Sequence, residues 1–176
     1  MQSMINSIPA AEGITTIAAG KGAPFDFGDV HFEWKVRTDD SAHHYTMFEL
    51  TLGPDQGVHL HSHPSPETFY VLEGIVNFFR VENNVLENVK CTVGTTVNIP
   101  PNALHALFNQ SDQRVRLLDV STPSHQAFFD AVSKAHAERV FDELDQRAVM
   151  EKMTEIGRQH EMHLVPFDVR TGTSMF

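Results

Sequence analysis

Residues 57–74 read Gly57-Val-His59-Leu-His61-Ser-His63-Pro-Ser-Pro-Glu67-Thr-Phe-Tyr-Val-Leu-Glu-Gly74, with three histidines at alternate positions. Side chains at i, i+2 and i+4 of an extended strand point to one face, so His59, His61 and His63 converge. Imidazoles gathered in this way are a metal-binding geometry. Pro64-Ser65-Pro66 cannot continue a hydrogen-bonded ladder and reads as a turn. Glu67 then opens a second apolar strand that ends at Glu73-Gly74, and a tight turn returns its carboxylate to the histidines.

This stretch resembles the first motif of the cupin superfamily, G-x5-H-x-H-x(3,4)-E-x6-G. With His61 and His63 as the H-x-H pair, three residues precede Glu67 and six separate it from Gly74, as the motif asks. The pair His59 and His61 leaves five residues before Glu67, although it alone satisfies the leading glycine, through Gly53. In the preferred register Asp55 takes the glycine position, and His59 is left to stand behind the ligands or in the pocket. A second stretch, Gly94-Thr-Thr-Val-Asn-Ile-Pro100-Pro-Asn102-Ala-Leu-His105-Ala-Leu-Phe-Asn109, resembles the second cupin motif, G-x5-P-x-G-x2-H-x3-N. Asn102 replaces its second glycine, and asparagine visits the left-handed backbone region more readily than other side-chain-bearing residues. The resemblance makes His105 the fourth ligand, after His61, His63 and Glu67.

Composition narrows the setting. The 176 residues are 41% hydrophobic and 20% charged, enough for one well-buried core. A formal charge of −10, without clustered Lys or Arg, argues against nucleic-acid and anionic-membrane partners. The single cysteine, Cys91, allows no intramolecular disulfide. The start of the chain lacks a basic segment followed by a long apolar one, so a cytoplasmic setting is expected.

Along the chain, residues 1–13 are expected to form an arm and Ile14–Ala18 a short strand, followed by a loop over residues 20–29. Val30, Phe32, Trp34 and Val36 alternate on one strand face, and His43–Leu52 forms the next strand. After the first motif come strands at 75–81, 85–89 and 95–99, with a turn at Glu82-Asn83-Asn84. His105–Asn109 and Arg114–Ser121 complete an all-β jelly-roll barrel over residues 1–122. Thr122-Pro123 starts a helix, and residues 123–176 are expected to be a helical extension packed on the barrel. Helical spacing occurs at Ala127, Phe128, Ala131, Val132 and Ala135, then at Val140, Phe141 and Leu144, then at Met150, Met153 and Ile156. His160-Glu-Met-His163 is one residue short of H-E-x-x-H and carries no metal role.

Three imidazoles and a carboxylate suit one divalent Fe, Mn, Ni, Co, Cu or Zn ion. On the strand faces shared with Glu67 and His105 lie Phe69 and Val71, and Leu107 and Asn109, which with His59 give a largely apolar substrate pocket. The His-Ser-His-Pro and Glu-Thr-Phe-Tyr-Val-Leu-Glu-Gly runs are similar to those of quercetin dioxygenase-type cupins. That resemblance implies an oxygenase in which Glu67 is both ligand and catalytic base for a substrate hydroxyl. The alternatives are a metal-dependent isomerase or lyase for a small keto or hydroxy acid, and a non-catalytic small-molecule-binding cupin. Apolar strand faces in a one-barrel protein need cover, so a homodimer is expected.

Overall fold

The computed structural model describes residues 13–175, so the expected arm at residues 1–13 falls almost wholly outside the described residues. The barrel is a sandwich of two antiparallel sheets. The first contains β1 (Ala23–Phe27), β2 (Val30–Val36), β3 (Thr46–Leu52), β10 (Val115–Ser121), β5 (Glu67–Glu73) and β8 (Thr96–Ile99), in that order. The second begins with β11 (His163–Leu164) and continues through β4 (Gly57–Ser62), β9 (His105–Phe108), β6 (Ile75–Glu82) and β7 (Val85–Thr92). Alternation along the strands decides which side chains enter the core. Val30, Phe32 and Trp34 of β2, Phe48, Leu50 and Leu52 of β3, and Val115 and Leu117 of β10 are all buried.

Helices α1 (Pro123–Ala137) and α2 (Gln146–Gln159) follow the barrel strands. Pro123 stands in the first turn of α1, and the Asp145 carboxylate caps α2 by accepting from the Ala148 N–H at 2.8 Å. Along α1 the buried positions His125, Phe128, Phe129, Val132 and Ala135 form one stripe, which lies on the aromatic face of the first sheet. Among the described residues no helix is long and apolar enough to cross a membrane.

Several elements differ from the sequence reading. Residues 14–18 form no strand, whereas Ala23–Phe27, read as loop, pairs with β2 through the turn at Gly28-Asp29. Phe25 provides the reason, since its ring stacks on Phe32 at 4.6 Å and on Trp34 at 5.2 Å. Strand β3 starts at Thr46 because Asp39–Ser41 is a 3-10 turn, and Ala42 and His43 behind it have left-handed backbones. Val140, Phe141 and Leu144 lie in successive turns instead of a helix, because Arg139 (φ 60°) and Glu143 (φ 63°) break the helical path. The tail is not helical throughout: β11 joins the second sheet beside His61 and Ser62, and β12 (Phe167–Asp168) pairs with β13 (Thr173–Ser174).

Both irregular motif positions have the backbone that their glycines would supply. Asp55 has φ 62° and Asn102 has φ 64°. Gly74, in contrast, is not exchangeable, because its φ is 79° and an added Cβ would stand 2.5 Å from the Arg114 carbonyl oxygen. Gly74→Ala is expected to destabilise the fold by about 2–4 kcal/mol, combining left-handed strain with overpacking. Urea denaturation measures it, and an unchanged midpoint would contradict the close approach of β5 and β10.

Candidate metal centre

Pairing of β4 with β9 places His61 directly opposite His105, with ring centroids 4.1 Å apart. His63 follows β4 at the start of the Pro-Ser-Pro turn, and Glu67 is the first residue of β5, on the other sheet. The four side chains are 1–5% exposed, and their ligand atoms lie within 4.8 Å of one another. Glu67 Oε2 is 3.2 Å from His105 Nε2 and 3.3 Å from His63 Nε2.

Each ring is oriented from behind by a carbonyl. His61 Nδ1 is 2.7 Å from the His59 oxygen, His63 Nδ1 is 2.8 Å from the Ser65 oxygen, and His105 Nδ1 is 2.9 Å from the Ala103 oxygen. A carbonyl only accepts, so each Nδ1 carries the proton and each Nε2 turns a lone pair toward the centre. His63 Nε2 accordingly has no hydrogen-bond partner, although it is buried. Three nitrogen lone pairs and a carboxylate facing one another repel unless a cation lies among them. The residues therefore fit a divalent metal, and this buried three-histidine, one-glutamate cluster can hold one.

Electrostatics favour the ligand forms. Burial, reinforced by His105 and His63, holds the His61 imidazolium well below the ordinary histidine range, so the ring is neutral. Two further residues meet this cluster, Asp119 of β10 and His125 of α1, both buried. Sequence reading missed them. Their signals were an acid on the inward face Val115-Leu117-Asp119 of an apolar strand, and a histidine beginning the stripe His125-Phe128-Phe129-Val132.

Burial lowers the His125 pKa from 6.5 to about 4. In metal-stripped protein the unfolded chain takes up this proton below pH 6.5 and the folded chain does not. Stability is then full above about pH 6.5 and falls by up to ~3 kcal/mol as the pH drops toward 4. Denaturant midpoints measured across that range should fall with acid, and the fall should be shallower in His125→Phe.

The pocket residues named from sequence do not share one pocket. Phe69 and Leu107 line a cavity of about 40 Å³ beside His61 and Glu67, which Phe128, Phe129 and Met162 close from the helical side. Val71 is fully buried in the core and outside that lining. Asn109 is also outside it: its amide donates to the Leu52, Gly53 and Gln113 carbonyls and ties two loops together. His59 faces away, into a cleft of about 590 Å³ bordered by α2 and Arg170. The strand bulges between Val58 and His61, so alternation is not maintained across all three histidines.

Residues 48–121 match the family model described as Cupin domain. No curated protein matches the sequence. A predicted oxalate decarboxylase from Thermotoga maritima is similar in structure, with a TM-score of 0.56 and 18% identity over 61% of this chain and 98% of that one. An RmlC-like cupin from Shewanella frigidimarina has a TM-score of 0.53 and 16% identity over 66% of this chain and 96% of its own. The oxalate decarboxylase of Lactobacillus farciminis, in a formate complex, has a TM-score of 0.50 and 20% identity over 57% of this chain; the match spans 30% of that protein's length. These likenesses establish the fold, a mostly β cupin sandwich with two helices after the barrel strands.

Proposed function

We propose that this protein is a metal-dependent enzyme of the cupin oxygenase type, acting on a small substrate that presents oxygen atoms. The observation that carries the reading is the set of three outward-braced Nε2 lone pairs and one carboxylate oxygen at the wall of an apolar cavity. A divalent metal held by His61, His63, Glu67 and His105 would supply Lewis acidity toward the substrate's oxygen atoms. Among the described residues Glu67 is the one carboxylate in the cavity lining, so it is the group placed to accept a substrate hydroxyl proton. Phe69, Leu50, Val58 and Leu107 keep bulk water away from it.

Size and charge restrict the substrate. The cavity beside the cluster is small, about 40 Å³, and mostly apolar in its lining, which favours a small substrate. Among the described residues no Arg or Lys lines the cavity, and a divalent ion with one glutamate leaves a single positive charge. A monoanion or a neutral hydroxyl compound matches that charge better than a dianion does. The same small volume favours the second reading, a lyase or isomerase for a small keto or hydroxy acid.

Reconstitution with Fe(II), Mn(II), Ni(II) or Co(II) distinguishes them when oxygen uptake is recorded beside product formation for small hydroxy acids, keto acids, catechols and flavonols. Turnover that requires oxygen and disappears in Glu67→Gln and His105→Ala supports the oxygenase. Product formed equally well without oxygen supports the lyase or isomerase, and saturable binding without product removes the catalytic role of Glu67. The homodimer is proposed on the exposed apolar side chains Val85, Leu86 and Val89 of β7, which a second copy would cover. Light scattering that gives a 19.8 kDa particle at every concentration would exclude it.

A further inference from the structure

Glu67 has two oxygens, and Oε2 is the one beside His63 and His105. Its Oε1 lies 3.4 Å from His125 Nδ1. Asp119 completes this second group: the ligand atoms of Glu67, Asp119 and His125 all lie within 4.8 Å of one another, and all three residues are buried. The sheet explains the placement, because β10 pairs with β5 so that Asp119 stands opposite Phe69 and diagonal to Glu67 on the inner face. Helix α1 brings His125 in from its first turn.

Asp119 has no solvent exposure, and neither of its oxygens makes a hydrogen bond of ordinary geometry. A fully buried carboxyl group without a donor is costly, and a second carboxyl beside it raises the cost. An unsatisfied group of this kind calls for a partner, which here is a proton shared with Glu67, a water or an ion. Ser121 Oγ, 2.7 Å from His125 Nδ1, adds a neutral oxygen donor at the same spot.

We propose that Glu67 is a bridging carboxylate, with Oε2 serving the three-histidine centre and Oε1 serving a second divalent-cation site completed by Asp119 and His125. The proposal rests on the three-histidine cluster being a metal centre, because the two sites share Glu67; with both ions bound Glu67 has no free oxygen, so the proton-accepting role given to it above belongs to the one-ion form. One imidazole with two carboxylates is a harder donor set than three imidazoles with one, which suits Mn(II), Fe(II) or Zn(II). Paired metals bridged in this way in other proteins lie about 3.5–4 Å apart.

Loading the purified full chain with excess Mn(II), desalting it, and counting ions by elemental analysis and native mass spectrometry tests this. Wild type should hold two ions per chain and show an exchange-coupled Mn(II) spectrum by electron paramagnetic resonance. Asp119→Asn and His125→Gln should each hold one, with an uncoupled spectrum and unchanged circular dichroism. One ion and no coupling in wild type overturns the second site, leaves the first intact, and means that the carboxyl pair shares a proton. No ion overturns both. Two ions that persist in both variants place the second elsewhere and also overturn the proposal. Should a variant fail to fold, the coupled spectrum of wild type still decides.

Discussion

Alanine in place of His61, His63, Glu67 or His105 is expected to weaken metal binding by at least ~100-fold, because each removes a donor from a centre whose mere outer partners are worth about 10–100-fold. His59→Ala should retain nearly all the metal, since that ring points into the outer cleft and reaches the centre only through its backbone oxygen, which accepts from His61. Elemental analysis of the five variants checks both halves. The same changes should abolish stabilisation by the ion: a metal at 1,000 times its dissociation constant adds about 4 kcal/mol to the folded state. A chelator should therefore lower the thermal midpoint of wild type and leave that of His105→Ala unmoved. A His59→Ala protein that loses its metal while His63→Ala keeps it would reverse the assignment.

The largest effect on stability is expected at Phe129. Its ring packs at 5.1–5.5 Å against Phe32, Phe48 and His125, and at 5.3 Å against Phe25, so it joins α1 to three strands and to the cavity. Phe129→Ala removes a buried aromatic ring and should cost about 3–5 kcal/mol, a large part of the ~5–15 kcal/mol that holds a typical domain. Urea denaturation gives that value. Phe129→Leu should cost less and keep the chain folded, while still enlarging the space next to Glu67. Calorimetry with catechol then has a definite expected result, tighter binding in Phe129→Leu than in wild type. Equal binding in the two proteins would mean that the ring does not restrict the cavity.

Where local physics dominates, the sequence was legible. Alternation of Val30, Phe32 and Trp34, the proline turn after His63 and the asparagine turn at residues 83–84 each depend on a few adjacent residues, and the structure has them where expected. The four-residue cluster was legible because motif spacing encodes strand register, and register brings His61 opposite His105. Tertiary effects escaped. Glycine and proline around Ala23–Phe27 hid a strand whose stability comes from Phe25 stacking on residues seven and nine positions ahead. Val140 and Phe141 have helical spacing, but the left-handed residues on either side prevent a helix. Asp119 and His125 were invisible as a pair, because only the packing of α1 on the first sheet brings them together. The cavity's size was equally hidden, since a loose apolar face and a plugged one have the same composition.

His61 and His105 belong to one sheet and Glu67 to the other, so an ion held among them acts as a rivet through the sandwich. Folding free energy then rises with the logarithm of free metal concentration. In metal-poor surroundings the layers open more often, and proteases remove what opens. A chain that holds such an ion would then be maintained in amounts that follow the metal supply.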